Sequence, residues 1–236
     1  MLTIQPQYLD LHPGQTVLDL GCGHGRHVQA LAWEYPVRVL GLDLEHASAC
    51  HSRAGLEELL PAKDPRWANC LLGTADCLHL PLAKGCVHHL LCSEVLEHLP
   101  NYHQALLEMR RVLKPGGTLA LSVPSFWPER ICWALSPEYQ HDPGGHVRIF
   151  HARSLRLEIQ RLGFTLKRSH HAHALHSPYW WLKCLRWSKR DTWWPIRLYH
   201  KLLVWDIMHR PWLTRGVEAC MNPLLGKSVV FYFTLE

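Results

Sequence analysis

The 236-residue chain lacks the features that mark several classes of protein. Its nine cysteines are odd in number and scattered without a C-x-x-C pair, which argues against a disulfide framework and a zinc ribbon and favours a reducing cytoplasm. No apolar run approaches the ~18 residues that a membrane span requires. The first residues carry no basic region followed by an apolar stretch, so we expect no cleaved signal peptide. Internal repeats and low-complexity tracts are also absent.

Charged residues make up only 19% of the chain and hydrophobic residues 47%, so the chain can bury a core. The charge is unevenly divided. Residues 1–150 carry 11 basic and 15 acidic side chains, whereas residues 151–236 carry 14 basic and 5 acidic ones together with seven of the 11 tryptophans. This division indicates that one part binds a cofactor and that another part meets something anionic or amphiphilic.

Short apolar runs alternate with helical patterns, which predicts βαβ units and a parallel sheet. We expect strands at 16–20, 37–43, 69–76, 87–93 and 118–124, with helices at 25–35, before Pro61 and at 102–113, the last closed by K-P-G-G. Residues 125–150 look like a loop. A helix at 152–162, an extended segment at 164–175 and a terminal strand follow, and the insert between the last two needs helices of its own.

The strongest local signal is V-L-D-L-G-C-G-H-G at 17–25, a strand, a glycine turn and a helix. Such a turn lets the backbone approach a ligand closely. By itself it also suits a nicotinamide or flavin dinucleotide, but the spacing is G-x-G-x-G instead of G-x-G-x-x-G. Asp19, two positions before the first glycine, suits a cationic ligand better than a pyrophosphate.

Together with four later motifs, this turn resembles the class I S-adenosylmethionine-dependent methyltransferases, in their small-molecule, type 11-like branch. The later motifs are Asp43 at the end of the second strand, D-C-L-H-L-P at 76–81, S-E-V-L-E-H-L-P-N at 93–101 and R-V-L-K-P-G-G-T-L-A-L-S-V-P-S at 111–125. G-G-H-V-R-I-F at 144–150 resembles the start of the family's substrate side. The resemblance implies one domain over residues 1–236. Its fold would be α/β and Rossmann-like, with a doubly wound, seven-stranded, mostly parallel sheet and a helical insert before the last strand.

The resemblance also implies S-adenosylmethionine as cofactor. Asp19 would supply charge opposite to the sulfonium and ammonium, Asp43 would hold the ribose hydroxyls, and Asp76 with Cys77 would read the adenine. Taken singly, each aspartate could instead be a helix cap or a turn residue. The full set of expected cofactor residues is Asp19, Gly21, Cys22, Gly23, Gly25, Asp43, Leu44, Asp76, Cys77 and Ser93.

Methyl transfer to a hydroxyl requires a base that removes its proton. The candidates are His98, Tyr139, His141, Asp142 and His146. A base whose pKa lies near 7 is the most useful, which favours the histidines. We rank His146 first as the catalytic base and His98 second; the alternative for His98 is a structural hydrogen bond at a helix start.

Glu94, Glu97 and His98 form E-x-x-E-H, which would share one helical face and, with His146, could bind a divalent metal. This pattern resembles the metal site of certain quinone-pathway O-methyltransferases and small-RNA 3′-end methyltransferases. Elsewhere in the family the same letters only begin a helix. A second group, His170, His171, His173 and His176, matches no standard zinc spacing and favours a polar edge strand instead.

The segment at 177–226 is rich in tryptophan and basic residues and is not explained by the general family pattern. Leu198, Tyr199, Leu202 and Leu203 would form an apolar stripe. Such a stripe usually packs on the protein's own core, but with Trp and Lys/Arg it can also contact an anionic membrane surface or stack on RNA. We expect 177–226 and 125–150 to cap the acceptor pocket.

The expected function is therefore methylation of a small-molecule or lipid-like acceptor, at oxygen, by a cytoplasmic protein that can lie at the inner membrane surface. RNA methylation and a non-catalytic scaffold are the alternatives. Nucleic acid is disfavoured because no RNA-binding module is recognisable.

Overall fold

The computed structural model describes residues 2–61, 63–141, 145–190 and 192–236. A seven-stranded sheet runs through it in the order β3-β2-β1-β4-β5-β7-β6. Only β7 is antiparallel to its neighbours, β5 and β6. The strands are β1 Thr16–Leu20, β2 Arg38–Asp43, β3 Cys70–Thr74, β4 Val87–Ser93, β5 Leu113–Pro124, β6 Phe164–Ala172 and β7 Ser228–Leu235. The predicted doubly wound, mostly parallel sheet is confirmed.

Apolar cores lie on both faces of the sheet because successive residues of a buried strand point to opposite sides. On one face, Leu18 and Leu90 belong to a core with residues of the helices at 102–112 and 152–161. On the other face, Val17 and Leu91 belong to a core with residues of the helices at 26–34 and 46–59. These two layers hold the carboxyl ends of β1, β2, β4 and β5 at one edge of the sheet.

Nine helices connect or follow the strands in the described ranges. They are α1 Arg26–Glu34, α2 His46–Leu59, α3 Tyr102–Val112, α4 Phe126–Leu135, α5 Pro137–Gln140, α6 Ala152–Arg161, α7 His176–Leu185, α8 Trp194–His209 and α9 Trp212–Leu225. The last three form the insert before β7, so the predicted helical insert is confirmed. None of these helices combines the length and the apolar character needed to cross a membrane.

Two local predictions were wrong, although α3 ends at Val112, directly before Leu113 and K-P-G-G, as expected. The fifth strand does not begin at residue 118, since β5 begins at Leu113 and passes through K-P-G-G with an irregular register, Val87 pairing with Leu113 and His89 with Thr118. Proline and glycine inside a strand are typical of such a bulge. Residues 125–150 are not only loop, because α4 and α5 form there, each with a proline in its first turn, where the missing N–H is harmless.

Candidate active site

The glycine turn joins β1 to α1 at the point where the strand order reverses between β1 and β4. The backbone N–H groups of Gly21 and Cys22 both donate to the carbonyl of Leu42, at 2.7 and 3.1 Å. The N–H of Gly23 donates to Oδ2 of Asp43 at 2.8 Å. The turn is thus tied to the end of β2, which is where ligands of open α/β sheets bind.

The three glycines of the turn have positive φ and differ in their surroundings. A Cβ at Gly21 would lie 2.4 Å from Val95 Cγ2, and a Cβ at Gly25 would lie 2.1 Å from Ser52 Oγ. These two glycines are therefore required by packing. At Gly23, where φ is +53°, a Cβ would meet no atom within 4 Å among the described residues. Gly23 therefore borders the open space in which a ligand can approach the backbone.

Asp19 lies in β1 directly before the turn and is only 1% exposed. Its Oδ2 has no hydrogen-bond partner in the described part of the chain. Burial raises the pKa of Asp19 to about 7, against the opposing effect of the Arg26 guanidinium. A buried carboxylate without a full set of partners is costly in a ligand-free protein and favourable beside a cation. Asp19 therefore fits the ammonium and sulfonium groups of S-adenosylmethionine.

The other predicted cofactor residues lie at the ends of β2, β3 and β4. Asp43 accepts hydrogen bonds from the N–H groups of Gly23 and Glu45, so its carboxylate is held in place by the backbone. Leu44, which follows it, is 68% exposed. Asp76 accepts a hydrogen bond of 2.8 Å from the N–H of Leu78, which fixes the turn after β3.

Cys22 and Cys77 flank this region as protonated thiols. Burial, followed by the charges of Asp19 and Asp43, raises the pKa of Cys22 to about 12. Burial and Asp76 raise the pKa of Cys77 to about 11. Neither is a thiolate nucleophile at neutral pH, so both contribute shape to the site.

A hydrogen-bond chain crosses the carboxyl ends of β4 and β5. Arg26 Nη2 donates to Ser93 Oγ at 3.3 Å, and Ser122 Oγ donates to Glu94 Oε1 at 2.9 Å. The two serine hydroxyls lie 3.0 Å apart. Since a hydroxyl has a single proton to donate, Ser93 donates to Ser122 and the chain runs from the guanidinium to the carboxylate. Ser93 and Glu94 are therefore positioned by the same network.

On the acceptor side, His146 forms a dyad with Glu129 of α4. The His146 Nδ1 and Glu129 Oε1 atoms lie 2.6 Å apart, with side chains 14% and 1% exposed. Tyr139 Oη donates to the same oxygen at 2.9 Å. Burial opposes ionisation of Glu129, but His146, Lys227 and Tyr139 together lower its pKa. An ionised Glu129 accepts only, so Nδ1 of His146 carries the proton of this hydrogen bond.

The dyad lies beside the segment that follows β4. The N–H of Val147 donates to the carbonyl of Glu97 at 2.9 Å, and the rings of His98 and His146 meet edge to face at 5.0 Å. Glu97 is fully buried, and both of its carboxylate oxygens lack hydrogen-bond partners among the described residues. Burial, reinforced by Glu94, raises the pKa of Glu97 well above its usual value.

Comparison with known proteins agrees with this geometry. A family model described as a methyltransferase domain matches residues 18–121. A Mycolicibacterium smegmatis protein named "probable S-adenosylmethionine-dependent methyltransferase" is 31% identical over 154 residues, which cover 65% of this chain and 53% of that protein. An O-methyltransferase from Pyrenophora dematioidea is 28% identical over 110 residues, 47% of this chain and 39% of its own. The solved structure of a geranyl diphosphate methyltransferase in complex with S-adenosylmethionine superposes with a TM-score of 0.64 at 15% identity, covering 98% of this chain and 82% of that one.

The chain is similar to S-adenosylmethionine-dependent methyltransferases, and its match to the methyltransferase domain model, residues 18–121, covers less than half of its 236 residues. Its structural match, at such low identity, concerns the fold alone. The chain spans about a third to a half of the length of the curated relatives it matches first. The match to the family model ends at residue 121, before α4 and the insert, so residues 122–236 lie outside the matched part.

The structure brings together three of the four predicted metal ligands. Glu97, His98 and His146 each offer one ligand atom, and these atoms lie within 4.8 Å of one another. Glu94 is not part of this group, because it adopts φ +58° ahead of a short 3₁₀ helix at Leu96–His98. E-x-x-E-H therefore does not present one helical face, and Glu94 instead accepts from Ser122.

The remaining base candidates contribute less. His141 is exposed and its Nδ1 donates to the carbonyl of Pro137. Tyr139 has its pKa raised, first by burial and then by the charge of Glu129, so it remains a hydrogen-bond donor. Asp142 lies outside the described residues.

Sequence reasoning missed Glu129, Lys227 and Arg26. Lys227 Nζ lies 3.8 Å from Glu129 Oε2, and both residues are remote in sequence from His146 and from each other. A glutamate directly after a tryptophan–proline pair gave no recognisable motif. Arg26 follows Gly25 directly, and its position at the start of α1 was the signal that could have identified it.

Proposed function

We propose that this protein transfers the methyl group of S-adenosylmethionine to a hydroxyl oxygen of a small-molecule acceptor with an apolar or lipid-like body. The supporting observation is the buried His146–Glu129 dyad at the carboxyl edge of the sheet, beside Glu97 and His98. When bound, the cofactor supplies an activated methyl group. The chain's own residues must then orient the acceptor and remove its proton.

His146 is the base in this proposal. Its Nε2 accepts the hydroxyl proton, while Glu129 fixes the tautomer and stabilises the imidazolium that forms. Tyr139 and Lys227 hold Glu129 in position from two further directions. His146, ranked first from the sequence, thus has Glu129 as its partner. We retain His98 as a neighbour of His146 in the same site.

The acceptor wall is expected from α4, α5 and the insert, which is the role we propose for 125–150 and 177–226. Trp181 Nε1 donates to the carbonyl of Pro128 at 3.0 Å, joining α7 to α4. Tyr139 contacts the rings of Trp180 and Trp187 at centroid distances of 5.9 and 5.4 Å. Aromatic side chains of this kind favour a large apolar or aromatic acceptor.

The function is tested by profiling metabolites and lipids from cells with and without the protein for features that differ by one methyl group. Purified protein is then given extract and methyl-labelled cofactor. We expect a labelled O-methyl product with the native chain and none with His146→Ala. The control His103→Ala removes another histidine of a His–Glu pair, 2.8 Å from Glu158 and 63% exposed, and should leave the product unchanged. A product methylated at nitrogen or carbon contradicts the oxygen assignment, and an RNA product contradicts the acceptor class.

Glu97, His98 and His146 support a second proposal for the same site, namely a divalent cation that positions the acceptor hydroxyl. Mixed carboxylate and imidazole donors suit Mn²⁺ or Zn²⁺. Dialysis against a chelator should then abolish methyl transfer, and added metal should restore it. Full activity in the presence of chelator contradicts the metal and leaves the His146 base in place.

A peripheral position at an anionic membrane is the remaining part of the proposal. The core-packing interpretation of the insert is wrong for much of α8 and α9, since their outward apolar side chains are 45–84% exposed: Trp194, Leu198, Leu202, Trp205, Met208, Trp212 and Leu213. Exposed basic residues accompany them at Arg197, Lys201, Arg210 and Arg215. Tryptophan at headgroup depth flanked by Lys/Arg favours an anionic lipid surface.

Liposome flotation tests this contact. We expect the native chain to float with anionic vesicles, weakly with zwitterionic ones, and the double variant Trp205→Ser/Trp212→Ser to stay behind. Trp33→Ser, at a half-exposed tryptophan on α1, is the matched control and should float like the native chain. If the native chain floats with neither kind of vesicle, the proposed membrane contact is contradicted.

A further inference from the structure

A second histidine cluster lies where the insert meets the sheet. His173 occupies the bend between β6 and α7, His176 begins α7, and Glu218 lies on α9. One ligand atom from each lies within 4.8 Å of those of the other two. The cluster therefore joins two segments that are more than 40 positions apart in sequence, through side chains of the types that bind metal ions.

Two of these side chains have polar atoms that are buried and lack partners. Nδ1 of His176 and Oε1 of Glu218 make no hydrogen bond to any described residue. Buried polar atoms without partners are rare in native proteins, and each one requires an explanation such as an ion or a water. A histidine nitrogen and a carboxylate oxygen are both ligand atoms for a cation.

The backbone and its surroundings hold His173 in place. His173 adopts φ +68°, a left-handed conformation that side chains larger than glycine rarely adopt. Nε2 of its ring lies 3.0 Å from Oγ1 of Thr3, which is 1% exposed. Histidines that bind metals characteristically donate their other nitrogen to such a partner. With Nε2 engaged by Thr3, Nδ1 is the nitrogen through which His173 would bind an ion.

We propose that His173, His176 and Glu218 bind one zinc ion that fastens α9 to the bend between β6 and α7. Two imidazoles and one carboxylate suit Zn²⁺, and a water would complete a tetrahedral site. The ion would stabilise the base of the insert, whose helix α9 has no buried residue of its own. This site is separate from the group of Glu97, His98 and His146 and does not depend on the proposed function.

Calorimetric titration of Zn²⁺ into chelator-dialysed full-length protein tests the site. The near-isosteric variants Glu218→Gln and His176→Asn remove one ligand each, and His200→Asn, at an exposed histidine on α8, is the matched control. His98→Asn separates this site from the other cluster. Thermal unfolding without metal shows whether each variant is folded, and with Zn²⁺ it reports the stabilisation.

We expect the native chain, His200→Asn and His98→Asn each to bind one equivalent of Zn²⁺ tightly. The melting temperature of each should rise when Zn²⁺ is added. In Glu218→Gln and His176→Asn the affinity should fall by about tenfold or more, and the rise in melting temperature should be lost. The proposal is overturned if the native chain binds Zn²⁺ no more tightly than Glu218→Gln does. It is also overturned if the tight equivalent disappears in His98→Asn alone, because the other cluster would then hold the ion.

Discussion

The substitution Asp19→Asn should make the ligand-free protein more stable while it weakens cofactor binding. Asp19 is almost fully buried, and Oδ2 has no partner among the described residues. Arg26 offsets only part of the cost of burying its ionised form, which a bound cation beside Asp19 would stabilise further. An asparagine of the same shape removes the buried charge, and with it the attraction for the ammonium and sulfonium of S-adenosylmethionine.

The magnitude follows from the pKa of Asp19, which burial raises from 3.8 to about 7. Because the folded state holds the proton more tightly than the unfolded state, stability falls as pH rises from about 4 to about 7 and is constant above that range. A shift of roughly three units corresponds to about 4 kcal/mol at pH 8. At pH 5 the same linkage gives roughly 2 kcal/mol, so the stabilities at the two pH values differ by roughly 2–3 kcal/mol.

Urea unfolding at pH 5 and pH 8 measures this difference. We expect the free energy of unfolding of Asp19→Asn to exceed that of the native chain. This excess should be about 2 kcal/mol larger at pH 8 than at pH 5. The control Asp10→Asn changes a side chain that is 93% exposed and should show no such pH dependence. Cofactor affinity of the native chain should rise between pH 6 and pH 8 and be flat in Asp19→Asn. An equal stability difference at both pH values refutes the reasoning.

Three further substitutions test the site. Glu129→Gln leaves cofactor affinity unchanged and lowers kcat toward the acceptor found by profiling, by about 100-fold or more; unchanged kcat would show that His146 does not act through Glu129. Gly21→Ala destabilises the fold by roughly 2 kcal/mol or more in urea unfolding, because its Cβ would lie 2.4 Å from Val95 Cγ2. Gly23→Ala, with no neighbour within 4 Å among the described residues, costs only about 1 kcal/mol of stability. Calorimetry should nevertheless show reduced cofactor affinity for it; full affinity would mean that the ligand does not approach Gly23.

The expected cofactor residues could be placed together from the sequence because they are local to strand ends. The run V-L-D-L-G-C-G-H-G contains both the buried strand and its turn. Asp19, Asp43 and Asp76 each lie near the end of one predicted strand. Parallel strands bring their carboxyl ends to one edge of the sheet, so the alternating pattern was sufficient to place these residues together. Periodicity likewise predicted the helical insert.

The acceptor half depends on contacts between distant segments. Glu129 contacts His146, which is 17 positions away in sequence, and it lies on a helix that was predicted as a loop because of Pro128. Lys227, which contacts Glu129, directly precedes the last strand. The positive φ of Glu94 broke a helical pattern that the letters E-x-x-E-H suggested. The predicted stripe of α8 is divided. Leu203 is buried and Tyr199 donates to the carbonyl of Leu175, whereas Leu198 and Leu202 face outward, because a periodic pattern gives the spacing of apolar residues and not what covers them.

The most direct test of the central claim is calorimetric titration of S-adenosylmethionine into the native chain and into Asp43→Ala at pH 8. Asp43 holds the turn through Gly23 and lies where the ribose hydroxyls are expected. We predict one saturable equivalent for the native chain and a loss of about tenfold or more in affinity for the variant, since each hydrogen bond to a charged group contributes roughly 1.5–3 kcal/mol. No saturable heat with the native chain, or equal affinity in the variant, would contradict the assignment of this edge of the sheet to the cofactor.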